Sequence, residues 1–366
     1  MIDETKVIQA EYMVWRKNIQ TLYSMVLNHS IEWPALSIQY YPDYTRHNNQ
    51  TTQRLLISPH TSGQDQEYLL IVEITLPDSV DDAETGDNFK FKIVQKIALD
   101  VEVNRARYSY LSPNMIAVRS DDKDVLIFDS TKHLSNEKKS KPDYVLKGHE
   151  AGGFGLDWSF FESNLLLSCG EDKKIVLNDI SNESFTVFEG HKGIINDINF
   201  SKINHNIFLS VGDNKQIFLW DKRVSSAIKS VEGHMSDVLC CEFNPLEENI
   251  CATGAADSSL KIWDIRNMDK EIFNLTGHKK EVSVVRWSPH SSSVLASGSY
   301  DRRVILWDMK RNDYVDQEAP SEMLFIHGGH TNVVTDISWN PLEKFEIAST
   351  AEDNVIQIWA KADESV

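Results

Sequence analysis

Residues Gly277 to Asp308 read GHKKEVSVVRWSPHSSSVLASGSYDRRVILWD. In this stretch His278 is followed after 9 residues by Trp287, after 19 by Ser297, after 23 by Asp301 and after 29 by Trp307. The same marks recur at the same offsets on both sides. His330 leads to Trp339, Ser349, Asp353 and Trp359. Upstream, His234 leads to Phe243, Thr253, Asp257 and Trp263, and His191 to Phe200, Ser210, Asn214 and Trp220. His149 leads to Trp158, Ser168, Asp172 and Asn178. A sixth copy lacks the histidine and runs through Leu99, Tyr108, Val118, Asp122 and Phe128.

Self-similarity with a period in the low forties, opened by Gly-His and closed by Trp-Asp, is the signature of WD-repeat propeller blades. Six such units and an N-terminal remainder predict an all-β, seven-bladed β-propeller with an N-terminal α-helix. Residues 1–32 are assigned to the helix and a ring-closing segment, and residues 33–366 to the propeller. Seven residues follow Trp359, too few for an outer strand in blade seven. The segment between the helix and the first strand is therefore expected to complete that blade and remove its free edge.

Over residues 4–28 the period changes. Ile8, Tyr12, Trp15, Ile19, Leu22 and Val26 alternate spacings of four and three, which places them on one face of a helix. Such a helix would be about 35 Å long, and Leu22 and Met25 would sit at its rim. Trp33-Pro34 ends it, because proline disfavours helical backbone before it. Strands are expected at 35–40, 54–58, 68–75 and 91–98, forming a first blade without the repeat marks. The acidic stretch Asp78–Asn88 reads as a loop.

The polar marks predict one buried network per blade. The turn aspartate accepts from the histidine, which meets the Ser/Thr hydroxyl, and the indole N–H completes the chain. Deleting one member would strand buried polar groups at about 1–3 kcal/mol. Blade two loses histidine, Ser/Thr and tryptophan together, in favour of Leu99, Val118 and Phe128. That joint loss marks the tetrads as structural: His149, Asp172, His191, Trp220, His234, Asp257, Trp263, His278, Asp301, Trp307, His330, Asp353 and Trp359. Asn178 and Asn214 each weaken one of them. Serine, histidine and aspartate superficially resemble a hydrolase triad, but a nucleophile needs one site with an oxyanion hole, and this trio recurs in five blades. No catalytic residue, cofactor or metal is expected.

With 55 acidic and 37 basic residues the chain carries a net charge of -18. Phosphate contacts need a basic footprint, so nucleic acid is not expected as a direct partner. Basic partners would be steered towards this surface. Cys169, Cys240, Cys241 and Cys251 form no C-x-x-C pair and fall in expected strands, which reads as buried thiols of a reducing compartment. The start MIDETKVIQ is no signal peptide and no apolar run reaches membrane length, so an intracellular protein is expected.

The Gly-His spacing is 42, 43 and 44 residues, then 52. The excess is Met309–Glu322, MKRNDYVDQEAPSE, which runs straight into Met323-Leu324-Phe325-Ile326. An insertion confined to one blade points to function. An acidic loop beside an apolar shelf suits a basic amphipathic helix.

Several blocks are more specific than a generic repeat. They are Glu11-Tyr12-x-x-Trp15-x-Lys17-Asn18, Glu32-Trp33-Pro34-x-Leu36, His60-Thr61-Ser62, Glu102-Val103-Asn104-Arg105-Ala106-Arg107-Tyr108, Thr131-Lys132-His133 and Leu324-Phe325-Ile326-His327-Gly328-Gly329-His330-Thr331. In this order, across essentially the whole chain, they closely resemble the retinoblastoma-binding, MSI-type histone-binding WD-repeat family. The histone-binding subunit of type B histone acetyltransferase belongs to the same family.

The resemblance implies a non-catalytic histone chaperone subunit, found in the nucleus and cytoplasm. It would serve acetyltransferase, chromatin assembly, deacetylase, remodelling or Polycomb complexes. It also implies a groove for the first helix of histone four, with Leu22, Met25, Glu318, Phe325 and Ile326 at the matching positions and Asp313 and Asp316 as further acids. The family insertion commonly reads Glu-Asp-Gly-Pro-Pro-Glu; here it is Gln317-Glu318-Ala319-Pro320-Ser321-Glu322, and Thr21 stands where a phenylalanine is usual. A second implied site, on the top face, takes the histone three tail or similar basic peptides. Glu32, Trp33, Pro34, His60, Glu102, Asn104, Arg105, Glu281 and Glu352 match it. Gln64, Gly152, Phe154, Asn196 and Ser283 depart from it, which implies altered selectivity. A carboxylate rim suits guanidinium, which it can hold bidentately.

A different reading is a substrate receptor of a cullin-type ubiquitin ligase, because Trp220-Asp221-Lys222-Arg223 and Trp263-Asp264-Ile265-Arg266 fit a W-D-x-R pattern. The two readings differ in the partners they demand, chromatin subunits or ligase adaptors.

Overall fold

Each repeat folds into a four-stranded antiparallel sheet, and seven such sheets build the ring. The computed structural model describes residues 4–77, 89–135, 137–311 and 320–362. Asp78–Asn88 and the stretch of the insertion that holds Asp313, Asp316 and Glu318 lie outside the described residues. Blade six, from the opening quotation, has strands Val282–Trp287, Val294–Ser299, Val304–Asp308 and Met323–His327 in chain order from axis to rim. Inner strands are tied around the axis by side chains that accept the next blade's backbone N–H. Asp157 accepts from Phe200 at 2.8 Å and Asn199 from Phe243 at 2.9 Å.

The core lies between the blades. One cluster joins Leu167, Ile175 and Phe188 of blade three to Ile198, Phe200 and Trp220 of blade four. Every blade thus buries its faces only against its neighbours, which is why the repeat has to close into a ring.

The ring closes through the N-terminal chain, with a different segment from the one expected. The helix α1 spans Glu4–Leu22, about 28 Å long, and the next residues, Tyr23–Ser30, form a strand. This strand pairs antiparallel with Val355–Lys361, from Tyr23 opposite Lys361 to Ser30 opposite Val355. The helix thus ends six residues before the point its period predicts, and Met25 and Val26 are strand residues. No glycine or proline marks the change; the open edge of Val355–Lys361 decides it, since pairing satisfies a row of backbone groups that a longer helix would leave exposed. The blade-one strands run Ala35–His47, Gln50–Pro59, Glu67–Pro77 and Lys90–Leu99, around the expected centres but longer.

The tetrads form as predicted in blades five, six and seven. In blade six His278 Nδ1 lies 3.0 Å from Asp301, Nε2 lies 2.7 Å from Ser297 Oγ, and the Trp307 indole donates to Ser297 at 2.8 Å. Blade seven repeats this with His330, Asp353, Ser349 and Trp359. In blade five His234 meets Thr253 at 2.8 Å and Asp257 at 3.4 Å. Blade three keeps His149 between Asp172 and Ser168, but the Asn178 amide nitrogen is buried without a partner. In blade four His191 Nε2 reaches Ser210 at 2.7 Å, while its Nδ1 is buried and unpaired. The four cysteines are free and buried, and burial pushes their thiols up.

Candidate functional site

Helix α1 crosses the rim where blades six and seven meet. Its anchor is Trp15, 6% exposed, whose indole donates to Tyr23 Oη at 2.8 Å. Tyr23 Oη lies 3.0 Å from His327 Nδ1, and His327 Nε2 lies 2.7 Å from Gln357 Oε1. His327 also stacks on Trp359, with centroids 4.2 Å apart. Burial holds His327 well below the usual histidine range, so it serves as a neutral bridge. Further up the helix, Glu11 Oε2 accepts from Arg302 at 2.9 Å and from Arg303 at 2.6 Å. Glu11 is 41% exposed, so this clamp orients the helix more than it stabilises it.

Between α1 and the outer strand of blade six lies an open cleft of about 450 Å³, lined by Val14, Trp15, Asn18, Leu22, Arg303 and Ile326 among others. Leu22 is 42% and Ile326 47% exposed, so each offers apolar surface to a partner. The other two expected apolar residues face elsewhere. Phe325 packs into the core between blades six and seven, edge-on to Tyr23 at 5.1 Å. Met25 packs against the core between blades seven and one. The strand ending of α1 explains Met25, because one residue in a strand reverses the face on which a side chain stands. Asp313, Asp316 and Glu318 lie outside the described residues.

The second set of residues lies on the face where each inner strand begins. Glu32 is exposed, and its carbonyl accepts from Asn354 at 2.9 Å. Trp33 is half-buried with its indole nitrogen unpaired, and the Pro34 carbonyl accepts the His60 N–H at 2.8 Å. His60 Nε2 lies 3.5 Å from Glu102 Oε2. Glu102 in turn closes on Gly63, whose φ of +69° and 3.1 Å approach to Glu102 Oε1 require glycine. Asn104 donates to Asp121 at 2.6 Å and to the Gly153 carbonyl at 3.2 Å. Glu281 and Glu352 sit on neighbouring blades, and both fall within reach of Tyr300, whose hydroxyl is raised first by burial and then by these two carboxylates. The face therefore carries carboxylates over blades one, two, six and seven. Phe154, Ile194 and Met235 are exposed on blades three, four and five.

Arg105 departs from this set. Its guanidinium enters the axial channel and pairs with Asp197. There it joins Arg107, 2.8 Å from Asp336, and Arg286, 3.1 Å from the same carboxylate. Burial opposes the charge on Asp336, but the three arginines outweigh it and hold the carboxyl below its ordinary range. Asp157, on the same channel of about 300 Å³, has no such partner, and burial pushes it up to about 7. The sequence does contain a signal for this network: Arg105 and Arg107 are two apart in a strand and so point to one side.

A profile for the histone-binding protein RBBP4 and its counterpart in the CAF1 complex matches residues 10–78, which include most of α1, the closing strand and the first three strands of blade one. The repeat described as "WD domain, G-beta repeat" matches residues 182–221, 225–264, 269–308 and 321–360. Over 372 aligned positions the chain is 45% identical to Histone acetyltransferase type B subunit 2 of Encephalitozoon cuniculi (strain GB-M1), with 97% of each chain covered.

Proposed function

The chain belongs to the MSI-type, retinoblastoma-binding-protein family of histone-binding WD-repeat proteins, and from that membership we propose that it is a non-catalytic histone-binding subunit of a type B histone acetyltransferase. The observation that carries the reading is where the histone-binding match falls. Residues 10–78 include the wall of the α1 cleft formed by Val14, Trp15, Asn18 and Leu22. The cleft takes the first helix of histone four, with Leu22 and Ile326 against its apolar face. Asp313, Asp316 and Glu318 attract its basic residues; Phe325 and Met25 support the walls from behind. The carboxylates Glu32, Glu102, Glu281 and Glu352 receive a second basic peptide, such as the histone three tail. Work in the nucleus and cytoplasm follows from this role, as does service to chromatin assembly.

The test is affinity for a peptide covering the first helix of histone four. Leu22→Asp and Ile326→Asp are each expected to weaken binding by about tenfold or more, as burying a charge against apolar surface costs well over 1 kcal/mol. Reversing Asp313, Asp316 and Glu318 to lysine is expected to weaken binding and flatten its salt dependence. Unchanged affinity and unchanged salt dependence in the reversal variant would remove the insertion from the site.

The ligase-receptor reading gains no support from its own motif. Arg223 folds back on Asp221, with Nε 2.9 Å from Oδ1, and Arg266 does the same on Asp264 at 2.9 Å.

A further inference from the structure

Ile326 and Arg303 line a second cavity as well as the α1 cleft. This pocket, about 250 Å³, is bounded by Glu11, Lys279, Lys280, Asp301, Arg302 and Arg303. Four cations meet two carboxylates there, in a chain whose net charge is -18. Both carboxylates are already committed. Asp301 accepts from His278 at 3.0 Å and from the backbone N–H groups of Lys279 and Arg303 at 2.8 and 3.0 Å. Glu11 takes both guanidinium groups on one oxygen, Oε2. Arg302 Nε is buried without an acceptor. Lys279 and Lys280 are exposed, and among the described residues neither ammonium group has a carboxylate within ion-pair distance.

The fold sets this pocket at one end of the cleft. Arg302 and Arg303 stand at the turn between the second and third strands of blade six, on the face where the inner strands begin. The insertion leaves the third strand and returns to the fourth, so its flanks, Arg311 and Pro320, lie towards the opposite face. A segment lying along α1 thus has Leu22 at one end and the cationic pocket at the other.

We propose that this pocket is an oxyanion site that receives a carboxylate or phosphoryl side chain from the polypeptide docked along α1, and so fixes the direction in which that polypeptide lies. An arriving oxyanion would give Arg302 Nε the acceptor it lacks, and would take charge-assisted bonds from two ammonium groups that no described carboxylate engages. The α1 docking rests on the proposed histone-binding function; the oxyanion site itself does not.

Inorganic pyrophosphate tests the site alone. Its phosphorus resonance should broaden saturably with the full chain, and Lys279→Gln/Lys280→Gln should weaken that binding at least severalfold; equal broadening by both proteins would overturn the site. The histone four first-helix peptide tests the direction, with three glutamates or one phosphoserine added at either end. Extension at one end should tighten binding about two- to fivefold, more for phosphoserine, and the double variant should lose the gain while binding the plain peptide as before. If the plain peptide binds and neither extension adds affinity at either end, the link to the docked segment is wrong. If the plain peptide does not bind, the histone reading fails, and the pyrophosphate result still decides the site.

Discussion

Blade two and blade four depart from the same polar network and reach opposite states. In blade two Leu99, Val118 and Phe128 replace three polar members at once, and all three are fully buried in an apolar cluster. Blade four changes one member, Asn214 for aspartate, and leaves His191 Nδ1 buried without a partner. The backbone shows why the asparagine does not stand in. In the other tetrads one residue of the turn is left-handed, the one after the aspartate: Lys173, Ser258, Arg302 and Asn354. In blade four both Asn214, at φ 62°, and Lys215, at φ 65°, are left-handed, which turns the Asn214 side chain away from the ring. Asparagine tolerates that backbone better than most residues. A buried network is thus safer lost whole than lost in part.

The extreme case is a sheet deprived of a strand. Removing residues 1–32 deletes the partner of Val355–Lys361 and the Trp15–Tyr23–His327 bridge together. The expected result is loss of a single cooperative unfolding transition in calorimetry; an unchanged melting temperature would show that the ring closes without this strand.

Next comes Ser297→Ala in blade six, which strands His278 Nε2 and the Trp307 indole at once. At about 1–3 kcal/mol for each orphaned group, the loss should be about 2–4 kcal/mol in urea denaturation. The triple change His278→Leu, Ser297→Val and Trp307→Phe copies blade two into blade six. It should cost no more than the single change, although it removes more atoms. A loss that grows with each added substitution would break the comparison.

The smallest effect comes from repairing blade four. Asn214→Asp is expected to draw the turn back to the common geometry, give His191 Nδ1 an acceptor and stabilise the chain by about 1 kcal/mol at neutral pH. Burial now holds His191 down to about 4, below its ordinary 6.5. The unfolded chain therefore binds the extra proton between those values, and this residue removes stability as pH falls from about 6.5 to 4. Asp157 acts in the opposite sense. Its carboxyl is raised to about 7, so its contribution is greatest at low pH and fades as pH rises through that value. The repaired variant should gain most over the parent near pH 5, and a gain independent of pH would mean that His191 is not the group involved.

The ring was legible because its marks are polar residues at fixed offsets, and blade two could be aligned even without its histidine. The end of α1 was not legible. Met25 and Val26 continue the helical period, and what pulls them into a strand is an edge more than 300 residues away in sequence. Phe325 and Ile326 illustrate the limit at the site: adjacent in a strand, they face opposite sides, and only Ile326 reaches the cleft. The Arg105, Arg107 and Arg286 channel network was half written, in an alternation whose partners Asp197 and Asp336 lie in other blades.

Leu22 and Tyr23 are neighbours in the chain, yet one lines the cleft and the other opens the strand that fastens the ring. Cargo and clasp therefore share a backbone. Whatever binds against Leu22 adds its binding free energy to keeping the clasp shut, by mass action. Amide exchange along Val355–Lys361 should slow when the cleft is loaded, though no ligand touches that strand. A propeller built this way is at its most secure while carrying and at its loosest just after handing over.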